Sequence, residues 1–155
     1  MGRNKFVVIG ENIHTTRVVR RDGRRVGLDN DGNEAVLFKN IFGEPAFLTI
    51  PDNFKDNKLY REGRVKHFMI AILEGMSEVS DDCGKGSDFI LAEVKRQELA
   101  GSQFLDLNVD EISYHLDLQK KAMQWVVSLY CTFAKVPPSI DSSSMEILEY
   151  GLETY

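Results

Sequence analysis

Three short strand-like runs, each carrying or followed by polar residues and separated by helical periodicity, restrict this chain to a narrow set of folds. The runs are Phe6 to Ile9, Phe104 to Val109 and Val136 to Ile140. The first is continuous and bounded by Gly10, the pattern of a strand buried on both faces. The third carries Pro137 and Pro138 at its entry, where a missing N–H is tolerated. Between the first two, Val65, Phe68, Met69, Ile72, Leu73 and Met76 keep the i, i+3, i+4 spacing that predicts a helix of about four turns from Arg64. Asp81 to Gly86 breaks that helix, and Ser87 is placed to cap a second one reaching Ala100, with Gly101 as its stop. Leu118, Ala122, Trp125, Val126, Leu129 and Phe133 mark another amphipathic helix. Ser143-Ser144-Met145-Glu146 has the capping-box pattern of a last helix, ended near Gly151. The order β-α-β-α-β-α predicts an α/β fold with a parallel sheet and right-handed crossovers.

Residues 18 to 63 have a different texture and read as an insertion after the first strand, within a single domain spanning 1–155. Arg25 to Leu28 and Glu34 to Phe38 flank the turn-rich Asp29-Asn30-Asp31-Gly32-Asn33, as the arms of a hairpin do. Ala46 to Ile50 is a further short strand, and Asp52 to Gly63 reads as loop. Arg17, Arg20, Arg21, Arg24 and Arg25 invite a nucleic-acid reading, but no aromatics are interleaved and the whole chain carries a net charge of -5. A solvated hairpin face is expected instead. Gly27 to Gly32 lacks the acidic spacing and closing Glu of an EF-hand. Cys83 and Cys131 form neither a metal-ligand pattern nor a disulfide framework, so no bound metal is expected. No apolar run approaches the roughly 20 residues that span a bilayer, and four apolar residues before Gly10 are too few for a signal peptide. A cytoplasmic protein without membrane or nucleic-acid partner is the expectation.

Each strand runs into polar residues at its carboxyl end: Glu11, Asn12 and His14; Asp106, Asn108, Asp110 and Glu111; Asp141, Ser142 and Ser143. Singly, such residues are often turn formers or N-caps. In a parallel α/β fold, however, the carboxyl ends of the strands share one face, and that face binds ligands. One binding face explains all three clusters together.

Val8-Ile9-Gly10-Glu11-Asn12-Ile13-His14 resembles the "IGERIN" opening of the pterin-binding methyltransferases, the methyltetrahydrofolate:corrinoid methyltransferases and the folate module of cobalamin-dependent methionine synthase. Leu105-Asp106-Leu107-Asn108-Val109-Asp110-Glu111 resembles their "LDVNVDE" strand, and Gln97-Glu98-Leu99-Ala100-Gly101 the "Q-x-x-x-G" helix end before it. Pro138 to Ser143, followed by Glu146 to Leu152, is similar to their "D-S-S…E-x-(I/L)-E-x-G-L" segment. The matches fall in the family's order and cover about residues 5–16 and 87–155. Dihydropteroate synthases share the superfamily but carry "DIGGEST" after the second strand, whose glycines are missing here. A dihydropteroate-synthase-like enzyme is therefore the second alternative.

The resemblance implies a dihydropteroate-synthase-like TIM barrel holding a reduced pterin at its carboxyl-end mouth. Asp141 would receive the pterin's 2-amino group and N3–H, a task that suits an acceptor-only carboxylate. An N-cap role for Asp141 is the structural alternative. Glu11, His14, Asp106, Asn108 and Ser142 would share the mouth; no residue is assigned as catalytic. The implied reaction moves the N5-methyl group of methyltetrahydrofolate to a corrinoid (cobalamin-type) group carried by a partner protein. Two positions depart from the motif: Asn12 stands where Arg is usual, and His14 where Asn is usual. For His14 the bland alternative is a hydrogen bond to a loop carbonyl. Length departs further, since a complete eight-stranded barrel takes about 250 residues. The expectation is an incomplete TIM barrel, its first three βα units present: a piece of a larger enzyme, or a split or non-catalytic subunit whose partner chain supplies the remaining strands. A homo-oligomer is left open.

Overall fold

In a computed structural model, residues 6–77 and 83–155 are described. The chain opens with β1 (Ile9–His14) and enters the insertion through β2 (Val19–Arg20). There follow β3 (Val26–Leu28), β4 (Glu34–Lys39), β5 (Pro45–Thr49), the single-turn helices α1 (Asp52–Lys55) and α2 (Lys58–Arg61), and β6 (Arg64–Val65). The second part holds α3 (His67–Gly75), α4 (Cys83–Leu99), β7 (Phe104–Asn108), α5 (Leu116–Cys131), β8 (Pro138–Ile140) and α6 (Met145–Thr154).

The main sheet has the order β1-β7-β8, and both pairings are parallel. Antiparallel pairing among these strands would have ruled out the predicted α/β topology. Leu105 and Leu107 point to one face of β7, and Asp106 and Asn108 to the other. The leucines are fully buried in one core with Ile13, Phe89, Val94, Met123, Val126 and Ile147, which lie on β1 and on α4, α5 and α6. Gly10 lies against Gln97 of α4 and Leu105, close enough that a Cβ there would collide with both. The helices thus take the apolar face, and the polar face is left for the site.

The first strand differs from expectation. Phe6, Val7 and Val8 lie outside β1, and Phe6 is 88% exposed. Pairing with β7 sets the register from Ile9 opposite Phe104 to His14 opposite Asn108, with an irregularity between Gly10 and Ile13. A continuous apolar run marks a strand only where layers cover both faces, and Phe6, Val7 and Val8 remain exposed beside the sheet. The Glu11 and His14 positions, expected just after the strand, belong to it.

The insertion is bracketed by its own ends: β2 pairs antiparallel with β6 through Val19 opposite Val65 and Arg20 opposite Arg64. That bracket takes the residues where the helical spacing began, so α3 starts only at His67. Between the ends, β3-β4-β5 form an antiparallel sheet that packs on α4, with Phe38 edge-on to Phe89 at 5.0 Å. The expected loop from 52 to 63 contains α1 and α2, the latter capped by the Asn57 side chain accepting from the Tyr60 N–H at 2.8 Å. Most of the arginines are held inside the insertion or beside it. Arg20 bonds Asp22, Arg21 bonds Glu34 and lies over the Tyr60 ring, and Arg17 reaches Glu11.

Helix ends also move. α4 begins at Cys83, so Ser87 is interior rather than a cap; of the expected break, residues 81 and 82 lie outside the described residues. α6 passes through Gly151 to Thr154. Gly151 is buried there, and an added Cβ would come within 2.7 Å of Ile140 Cγ2 and 3.1 Å of Met123 Cγ. Its role is close packing on β8 and α5 rather than termination. No helix among the described residues is long and apolar enough to cross a membrane.

Candidate ligand site at the carboxyl ends of the parallel strands

The parallel register carries Asp106 and Asn108 of β7 beside His14 of β1 and the residue after β8, Asp141. The Asp141 N–H donates to the Leu107 carbonyl at 3.0 Å, extending the ladder by one residue and fixing where its side chain leaves the sheet. Asn108 Nδ2 donates to Asp141 Oδ2 at 2.7 Å, while Asn108 Oδ1 accepts the Asp110 N–H at 3.0 Å. The second bond identifies the oxygen of the amide, so the donor end must face Asp141. His14 is oriented in the same way. Its Nδ1 accepts the Thr16 N–H at 3.3 Å and lies 2.6 Å from Thr16 Oγ1, so in the neutral ring the proton sits on Nε2. Nε2 is 3.7 Å from Asp141 Oδ2. The partner of His14 is thus a loop N–H and hydroxyl rather than the loop carbonyl of the bland expectation.

Glu11, His14, Asp106 and Asp141, together with Thr16, Arg17 and Val18, line one cleft of about 430 Å³. Glu11 stands at its rim, tied to Arg17, whose Nε donates to the Glu11 carbonyl at 2.9 Å and whose NH2 is 3.5 Å from Glu11 Oε2. Asn108 lies just behind, buried, and acts through Asp141. Ser142 turns elsewhere. Its hydroxyl donates to Asp110 Oδ1 at 2.5 Å, and the Ser143 N–H donates to Asp110 Oδ2 at 2.7 Å. Asp110 therefore ties the loop after β7 to the loop after β8. Burial raises its carboxyl, but the bonds from Ser142 and Ser143 outweigh that and hold it below the usual aspartate value.

Asp141 is not the cap of α6. That position belongs to Ser144, whose hydroxyl makes no cap bond, and half of the Asp141 side chain remains exposed. Asp106 is buried, and its carboxyl is pushed above the usual value, first by burial and then by the charge of Asp141; the Ser139 hydroxyl and His14 oppose the shift. His14, Asp106 and Asp141 each offer one ligand atom within 4.8 Å of the others. Such a set can receive a cation or the N–H donors of an organic ligand. Thr16 and Arg17 were not among the expected site residues, although they directly follow the first motif.

Asp106 has a consequence for stability. Its folded-state value is above the unfolded one, so its contribution is fully present below about pH 3.8 and is lost as pH rises through the raised value. At neutral pH the ligand-free protein carries that penalty. Asp106→Asn is expected to melt above the wild type at neutral pH, with the difference vanishing below about pH 3.8. Thermal melts across pH check this, and an unchanged or lowered melting temperature at neutral pH would count against a strained Asp106.

No protein-family model, curated protein or solved structure matches this chain.

Proposed function

We propose that this chain is the pterin-binding part of a methyltransferase that moves the N5-methyl group of methyltetrahydrofolate to a corrinoid carried by a partner protein, on the opening βα units of a TIM barrel. The observation that carries the reading is an acceptor-rich cleft without a free cation among its described lining residues. Asp106 and Asp141 face it together, and its one guanidinium, Arg17, is engaged by Glu11. A carboxylate has about four lone-pair directions. Asn108 occupies one on Asp141, and the rest can take a flat donor edge such as a 2-amino group with an adjacent ring N–H.

In the reaction, cobalt(I) supplies the electron pair for the new Co–C bond, and N5 keeps the pair of the broken N–C bond and gains a proton. The chain's contribution is to hold and orient the ring in a partly dry cleft, where fixed hydrogen bonds weigh more than in water. The test is methylation of cob(I)alamin by methyltetrahydrofolate with the complete protein, followed by loss of the cob(I)alamin absorbance. Protein-dependent methylation is expected; no acceleration over the free reactants would overturn the reading.

One observation favours a second reading, a subunit that completes its barrel with another chain. Among the described residues both outer edges of the parallel sheet, β1 and β8, are unpaired, and Phe6 to Ile9 are exposed beside one of them. An adjacent reading frame opening with a strand that ends in "I-N-S" would favour this arrangement. Its absence would favour one continuous polypeptide.

A further inference from the structure

We propose that the groove between the insertion and α4 is a second binding site, taking a small amphipathic anion: an apolar body with one carboxylate, sulfonate or phosphate group. The groove encloses about 630 Å³, within the range of roughly 300–1,000 Å³ typical of small-molecule sites. None of its lining residues lines the cleft at the strand ends. Its apolar surface comes from Leu37 and Phe38 of β4 and from Phe89, Ala92 and Leu99 of α4. Leu99 is 78% and Leu37 38% exposed, so part of this apolar lining is open to solvent.

The rim gives the charge of the occupant. Arg25, Lys39, Lys95 and Arg96 line the groove against a single carboxylate, Glu93. That carboxylate is already used: Arg96 donates to it through Nε at 3.0 Å and NH2 at 2.5 Å, and Gln97 Nε2 donates at 3.1 Å. Lys95 Nζ donates to the Ile41 carbonyl at 2.5 Å, pinning the turn after β4 to α4. Arg25 and Lys39 are left with no ion pair to a carboxylate among the described residues. Arg25 is also partly desolvated, with its guanidinium 5.9 Å from the Phe89 ring centroid, and burial lowers its pKa from the usual value. Two unmatched cations above an apolar floor are complementary to an anion with an apolar tail. The insertion thereby acquires a role beyond covering α4.

The test uses a matched pair of fluorescent probes. 8-Anilinonaphthalene-1-sulfonate carries the anionic group, and N-phenyl-1-naphthylamine is the same ring system without it. The sulfonate is expected to bind saturably at about 10–100 µM, the range open to a ligand of its size, and more tightly than the neutral probe. Added salt should weaken it. In R25E/K39E its affinity should fall at least about tenfold while the neutral probe is little changed. Both residues keep solvent access at the rim of the groove, so the fold should persist; if circular dichroism shows otherwise, R25Q/K39Q replaces the reversal with the same expected direction. Amide NMR shifts on adding the sulfonate should cluster at Leu37, Phe89 and Leu99. Shifts centred on Phe6 to Ile9, equal affinity in the charge variants, or no saturable binding would each overturn the proposal.

Discussion

Asp141→Asn is expected to weaken binding of a tetrahydrofolate to the complete protein by about 2–4 kcal/mol, read by calorimetric or fluorescence titration beside the wild type. The substitution replaces one acceptor oxygen with an amide that presents a donor to a donor. It removes a charge-assisted bond and leaves a polar group unsatisfied in the bound state. Stability without ligand should change little, because the side chain is half exposed and the asparagine oxygen can still accept from Asn108 Nδ2. The helix after it is capped by position at Ser144, so no cap is lost. Equal affinity in the two proteins would remove Asp141 from the site. A large fall in melting temperature without ligand would assign it a structural role instead.

The second large effect is expected far from the cleft, at Gly86→Ala. An added Cβ would sit 2.2 Å from the Ala71 carbonyl oxygen and 2.8 Å from the Gly75 nitrogen, both backbone atoms of α3. In an open helix the same change would be favourable by about 1 kcal/mol. Here neither contact is the end of a flexible side chain, so α3 and α4 must move apart. A net loss of about 3 kcal/mol is expected, at the upper end of ordinary overpacking, and denaturant unfolding measures it. Neutral or increased stability would mean that these helices do not cross in backbone contact.

This crossing illustrates what the sequence conceals. Gly84-Lys85-Gly86 reads as a helix breaker on local propensity, yet all three residues are helical. At Gly86 backbone contact with α3 has overridden a propensity cost of about 1 kcal/mol, whereas a Cβ at Gly84 would meet nothing within 4 Å. The parallel order was legible because β7 and β8 fall on short strand patterns, Phe104 to Asn108 and Pro138 to Ile140, that alternate with helical periodicity. β1 was displaced for the opposite reason: Glu11 and His14 lie in a strand whose polar face is the cleft, so polarity disguised it as loop. The insertion's strands were legible from turn chemistry, whereas the β2–β6 bracket is two residues long on each side and leaves no periodic trace. At the site, Asp106, Asn108 and Asp141 were legible as ends of strands sharing a face. Ser142 was not, because only the three-dimensional path of the loops shows that Asp110 claims its hydroxyl.

Whether the mouth formed by β1, β7 and the residue after β8 receives a reduced pterin can be read by amide NMR on titrating tetrahydrofolate into the complete protein. Saturable shifts concentrated at His14, Asp106, Asn108 and Asp141 are expected, unchanged when EDTA is present and lost in Asp141→Asn. Shifts that avoid these four residues, or that vanish with EDTA while a divalent cation alone reproduces them, would contradict pterin binding at this mouth.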